Sequence, residues 1–135
     1  MYTLSKGQGI ETATLMEHLF EPRTFLGPEI DWSGVNWEEE GDLILEQEAT
    51  RIYYHPPETV TAIASFLAEV TEEDFLAAFN PEEMNQQGIY PSVWNRHQEP
   101  DNAFNQRHIV QEFQRLKQFF TLMNTGKNYC LVYLG

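Results

Sequence analysis

Six side chains with chemical potential fall near the expected ends of structural elements: Arg51, His55, Tyr90, Trp94, Arg96 and His97. Guanidinium, imidazole, phenol and indole gathered at the rim of a sheet suit a pocket for an anionic small molecule. Arg51, His55, Tyr90 and Trp94 are the candidate ligand-binding set. A plainer reading competes with it. Tyr90 and Trp94 can lock a loop by giving their polar tips to the backbone, and Arg51 can pair with local glutamates. A second set has different chemistry. Trp32 and Trp37 stand beside Glu38, Glu39 and Glu40. Aromatic anchors ringed by charge resemble interface hot spots, which makes these five the candidate partner-binding residues. The plainer reading of the acids is a solvated loop. For a binding loop, reversing the three glutamates to lysine should leave thermal stability nearly unchanged but weaken partner binding, with strong salt dependence.

Other chemistries are poorly served. The four histidines are His18, His55, His97 and His108; none forms HExxH and no two stand at i, i+4, so no metal site is assigned. Glu38-Glu39-Glu40 with Asp42 lacks the spacing of a calcium loop. Cys130 lies in an apolar run and reads as a buried, inert thiol. With no GxSxG elbow either, no catalytic residue is assigned. Gly7-Gln8-Gly9 lacks the third glycine and the preceding strand of a dinucleotide fingerprint, and no cofactor is expected.

The elements that must position these groups follow from periodicity. Residues 11–20 read as a helix, with Leu15, Met16, Leu19 and Phe20 on one face and Pro22 as its stop. Residues 22–41 read as irregular, with turns at Gly27-Pro28 and Ser33-Gly34. Residues 43–45 and 51–54 read as short strands. A helix is expected over 57–69, where Val60, Ile63, Ala64, Leu67 and Ala68 make one stripe. Thr71 caps the next helix, whose buried side is Phe75, Leu76 and Phe79. Asn80-Pro81 opens another, ended by Gly88. The longest helix is expected over 102–124, with Gly126 as its C-cap and Lys117 and Lys127 at its negative end. Residues 129–134 are apolar throughout and read as a central strand, buried on both faces.

The resulting class is α+β: a small mixed sheet packed by several helices, with a long C-terminal helix followed by a central closing strand. A chain of 135 residues is one domain in size. One cysteine excludes an internal disulfide framework. Charge says more. The chain holds 21 acids and 8 bases, a net −13, which disfavours nucleic acid and anionic membrane as partners. The imbalance is local: 18 acids and 3 bases lie in residues 1–95, and 3 acids and 5 bases in residues 96–135. The first ten residues lack a signal-peptide pattern and no apolar run approaches the ~20 residues of a membrane span, so the cytoplasm is the expected compartment.

Two short runs carry a family resemblance. Ala49-Thr50-Arg51-Ile52-Tyr53-Tyr54 followed by Pro57-Glu58-Thr59-Val60 is similar to the "ARYL…PEEV" step of the YfbM-like family. Ile89-Tyr90-Pro91 with Trp94 resembles its "IYP…W" signature, and the closing helix, Gly126 and strand follow the same order. The resemblance covers about residues 46–135 of what reads as a single domain over 1–135, with residues 1–45 divergent or shortened. The family's Leu-Asp-Lys-x-Trp helix has no counterpart here: Trp32 follows Asp31, without the lysine or the spacing. The resemblance implies a small bacterial α+β protein and brings no established activity.

The functional expectation therefore rests on charge and exclusion. It is a non-catalytic module that engages a basic protein partner, such as a toxin-neutralising immunity-type inhibitor, acting as monomer or homodimer. The alternative is a binder or enzyme for an anionic ligand near Arg51, Tyr90 and Trp94.

Overall fold

The computed structural model describes residues 17–100 and 102–133. Residues 17–20 are helical, with Leu19 in the core and Phe20 exposed; Leu15 and Met16 of the expected first helix lie outside the described residues. Within the stretch expected to be irregular, β1 (Thr24–Leu26) and a 3-10 turn (Trp32–Gly34) form.

The first long helix, α1 (Trp37–Ala49), corrects two expectations. Leu43–Leu45 is not a strand but lies inside this helix. The acidic run is not a loop but its first turn, with Glu38, Glu39 and Glu40 on the positive helix end. Asn36 starts the helix by accepting a hydrogen bond from the Glu38 N–H. Leu, Glu, Gln and Ala then favour continuation, and the one Gly41 is too small a penalty to stop it.

Next come β2 (Ile52–His55) and α2 (Pro57–Glu69). Pro57 sits where a missing N–H costs nothing. Val60, Ile63, Ala64 and Leu67 are buried as expected, whereas Ala68 is exposed. Complete burial of Ile63 and Leu67 contributes about 2 kcal/mol each. The capping box of Thr71 and Asp74 opens α3 (Glu72–Ala78), and Asn80 caps α4 (Pro81–Gln86). Gly88, at φ +69°, ends that helix in the left-handed region.

The long helix α5 (Gln106–Thr125) begins four residues later than its periodicity implies. Phe104 takes φ +68°, which no helix accommodates, and Asn105 behind it becomes the cap. At the other end Gly126 keeps φ −107°, and Lys127 takes the left-handed turn at φ +50°. Helix α5 lies against α2 and α3. Phe113 stacks on Phe75 at 4.3 Å, and Lys117 Nζ donates to the Val70 carbonyl at 2.6 Å, closing the end of α2.

The closing strand is β3 (Cys130–Val132). The α+β class and the order of long helix then strand hold, but two details of the sheet change. It is antiparallel rather than mixed, in the order β1-β2-β3, so β3 is an edge strand rather than a central one among the described residues. The reason is period-2 alternation. Cys130 faces the core at 6% exposure, while Leu131 faces out at 68%. A run that is apolar at every position conceals which face is covered. Phe25, Tyr53, His55, Cys130 and Val132 share the inner face by register; Leu26, Ile52, Tyr54 and Leu131 share the outer one.

Candidate functional site

Two successive caps build the acidic site. Asp31 accepts hydrogen bonds from the Ser33 N–H at 3.0 Å and the Ser33 hydroxyl at 2.6 Å, and so starts the 3-10 turn at Trp32. Those bonds, the side-chain one foremost, hold its carboxyl below the usual carboxylate pKa. Asn36 does the same for α1 at Trp37, and the Asn36 N–H donates back to Glu40 Oε2 at 3.3 Å. Each tryptophan is thus the first residue after a cap. The two indoles meet, with ring centroids 6.0 Å apart and planes 23° from parallel.

The pair remains in water: Trp32 is 44% exposed and Trp37 55%. The Trp37 ring lies over Gly41, one turn on in its own helix; a Cβ there would stand 3.4 Å from Trp37 Cε3, at the limit of ordinary contact. Gly41 is the only buried residue of α1, and Leu43 and Leu45 are more than half exposed. Glu38, Glu39, Glu40 and Asp42 are all exposed around the indoles. No ion pair neutralises any of these acids among the described residues. Trp37, Glu38, Glu39 and Glu40 thus follow one another in the first turn of α1, with Trp32 stacked on Trp37, so the ring pair stands at the acidic end of that helix.

The other candidate set is dispersed into separate structural tasks. Arg51 donates from Nε to the Pro28 carbonyl at 3.0 Å, and its guanidinium lies 3.9 Å above the Phe25 ring. Gly27, at φ +136°, lets that turn approach, since a Cβ would come within 3.1 Å of Arg51 Cα. His55 is buried; its Nε2 donates to the Leu19 carbonyl at 2.9 Å, tying β2 to the helical turn at 17–20.

Tyr90 and Trp94 belong to the loop between α4 and α5. Tyr90, before the cis-proline Pro91, is 86% exposed. The Trp94 indole N–H donates to the Ile89 carbonyl at 3.0 Å, and its ring meets Phe104 edge-on at 5.6 Å. The Asn85 amide grips both the N–H and the carbonyl of Trp94, at 2.9 and 2.8 Å. Arg96 forks onto Glu82 at 3.1 and 2.9 Å, and that hydrogen bonding lowers the Glu82 pKa. His97 stands 3.8 Å from Glu99 on the exposed surface. Among the described residues, no hydrogen bond or ring contact joins Arg51 or His55 to Tyr90 or Trp94.

Concavities lie elsewhere. A small polar hollow of about 90 Å3 opens at the start of α5, bordered by Glu99, Asn105, Arg107 and His108. That is well below the ~300 Å3 at which ligand pockets begin. A larger but more open one, of about 580 Å3, borders Glu17, His18, Glu21, Pro22 and Arg23. Burial raises the Cys130 thiol pKa above its ordinary value, which keeps the sulfur protonated and unreactive. Among the described residues, no three His, Cys, Asp or Glu side chains are placed to hold a metal ion, and no helix is long and apolar enough to cross a membrane.

Sequence reasoning singled out the indoles and acids but missed what arranges them. Asp31-Trp32-Ser33 and Asn36-Trp37-Glu38 are both cap signals in plain view. The placement of the Trp37 ring over Gly41 had no signal, because nothing in the chain announces it.

Residues 37–133 match the family described as Domain of unknown function (DUF1877), and the chain belongs to that family. The match begins at Trp37, the first residue of α1, so it takes in the acidic helix as well as the stretch from residue 46 onward. No curated protein and no solved structure matches the chain.

Proposed function

We propose that this protein is a non-catalytic binding module, a single cytoplasmic domain of YfbM-like bacterial type, that engages a basic protein partner. The observation that carries this reading is the stacked Trp32–Trp37 pair, exposed and surrounded by unpaired acids on a helix with one buried residue. The physics supplies both halves of recognition. The acidic field attracts a cationic surface and speeds encounter. The indoles then give rigid aromatic area at low entropic cost. Inhibition of a basic toxin in the manner of an immunity protein is the role this chemistry suits.

The alternative, an anionic ligand held by Arg51, His55, Tyr90 and Trp94, has less support. Arg51 is committed to Phe25 and Pro28, and neither hollow described above includes any of the four.

The test is capture from native lysate at low and high salt, read by mass spectrometry. Tagged wild type is compared with the Glu38→Gln, Glu39→Gln, Glu40→Gln triple variant, which removes charge without reversing it. A basic protein retained by wild type at low salt, and lost at high salt or with the variant, is expected. A blank, or equal retention by the variant, overturns the reading.

A further inference from the structure

The two edges of the sheet are defended unequally. The outer edge, β1, is bracketed by Pro22 and Arg23 before it and Gly27-Pro28 after it. Prolines and charges are the usual means by which an edge strand refuses another strand. The opposite edge, β3, has none: Asn128 to Tyr133 contains no proline and no charged side chain. Among the described residues nothing pairs with its free side.

The face beside this edge is apolar and wet. Leu26 is 60% exposed, Ile52 49%, Leu131 68% and Tyr133 90%. Tyr129, 63% exposed, meets Tyr54 edge-on at 5.8 Å, which places it on the same face as Leu131, the register partner of Tyr54.

We propose that a second copy of this chain pairs with β3, antiparallel, across a two-fold axis at Leu131. Three observations select a second copy. First, the strip is self-complementary. Centring the axis on Leu131 sets Leu131 opposite Leu131, and Tyr129 opposite Tyr133 in both directions. Each is an aromatic or aliphatic cross-strand pair of the kind that stabilises sheets. A two-fold contact requires such self-matching. Second, the edge strip itself, Asn128 to Tyr133, carries no charge, and residues 102–133 hold Glu112 as their one acid, so the strip sets no pair of like charges face to face. Third, pairing gives the most exposed side chains beside the edge, Tyr129, Leu131 and Tyr133, lateral contact with the same strip of the second copy. The contact uses a surface distinct from the α1 residues proposed for the partner, so each dimer presents two acidic helices.

Analytical ultracentrifugation of the wild-type chain over rising concentration tests this. The expected result is a monomer–dimer equilibrium. Leu131→Lys sets two ammonium groups face to face and is expected to weaken dimerisation at least ~10-fold while leaving the circular dichroism spectrum unchanged. Trp37→Ala is expected to leave dimerisation unchanged. A Leu131→Cys variant in a Cys130→Ser background is expected to cross-link under mild oxidation, because the axis brings the two positions together. A wild-type chain that stays monomeric at every concentration overturns the proposal and leaves the edge to a different occupant. Persistence of the dimer in Leu131→Lys, or failure of the cysteine variant to cross-link, overturns the β3 contact.

Discussion

Asn105 is fully buried, and both ends of its amide are used. The oxygen accepts from the His108 N–H at 2.9 Å, capping α5, and the nitrogen donates to the Glu99 carbonyl at 2.9 Å, fixing the segment before the helix. Removing the amide uncaps this long helix and leaves the Glu99 carbonyl without its donor. Asn105→Ala is expected to cost roughly 2–3 kcal/mol, measured by urea unfolding. A loss below ~0.5 kcal/mol would show that water replaces the amide at no cost. Caps of this kind are the most legible feature of the chain, since they are local: Thr71 with Asp74 and Asn80 with Pro81 could be read directly. Asn105 was obscured by Phe104, whose left-handed backbone is not signalled by its own residue type; its ring meets Trp94 edge-on.

Among the elements, the helices with a clear apolar stripe were readable and the acidic one was not. Helix α2 buries Val60, Ile63, Ala64 and Leu67 at helical spacing, so one core face fixes its phase. Helix α1 has no such face. Its three-residue aliphatic run, Leu43–Leu45, fits strand and helix equally. Position in a helix also changes what its acids do. Glu38, Glu39 and Glu40 lie on the positive end of α1, where negative charge is stabilising. Reversing all three to lysine is therefore expected to lower the melting temperature by several degrees, against the null effect expected for a loop. Circular dichroism melts of wild type, the lysine variant and the glutamine variant separate the cases. Equal melting of all three would deny the helix-end role. The strand position failed for a related reason: alternation between Cys130 inside and Leu131 outside is invisible when both residues are apolar.

At the scale of the whole molecule, the division of labour follows charge. The acids concentrate in the first two thirds of the chain, and their most exposed display is α1, tied to the sheet through the Tyr53 hydroxyl, which donates to Glu48 at 3.4 Å. The core lies elsewhere, in α2, α5 and the inner face of the sheet, with Leu19, Val60, Ile63, Leu67, Phe113 and Phe120 buried together. The core thus lies away from the exposed indoles, so these can be altered without opening it. Charge imbalance was legible from composition, but the meeting of two indoles five residues apart depends on two successive caps, at Asp31 and Asn36. The most direct test is the affinity of the captured basic protein for wild type and for the Trp32→Ala, Trp37→Ala variant, each measured at two ionic strengths. The account predicts a wild-type affinity that falls as salt rises, and a variant at least ~10-fold weaker at either salt. Equal affinity of the two proteins, indifferent to salt, would contradict it.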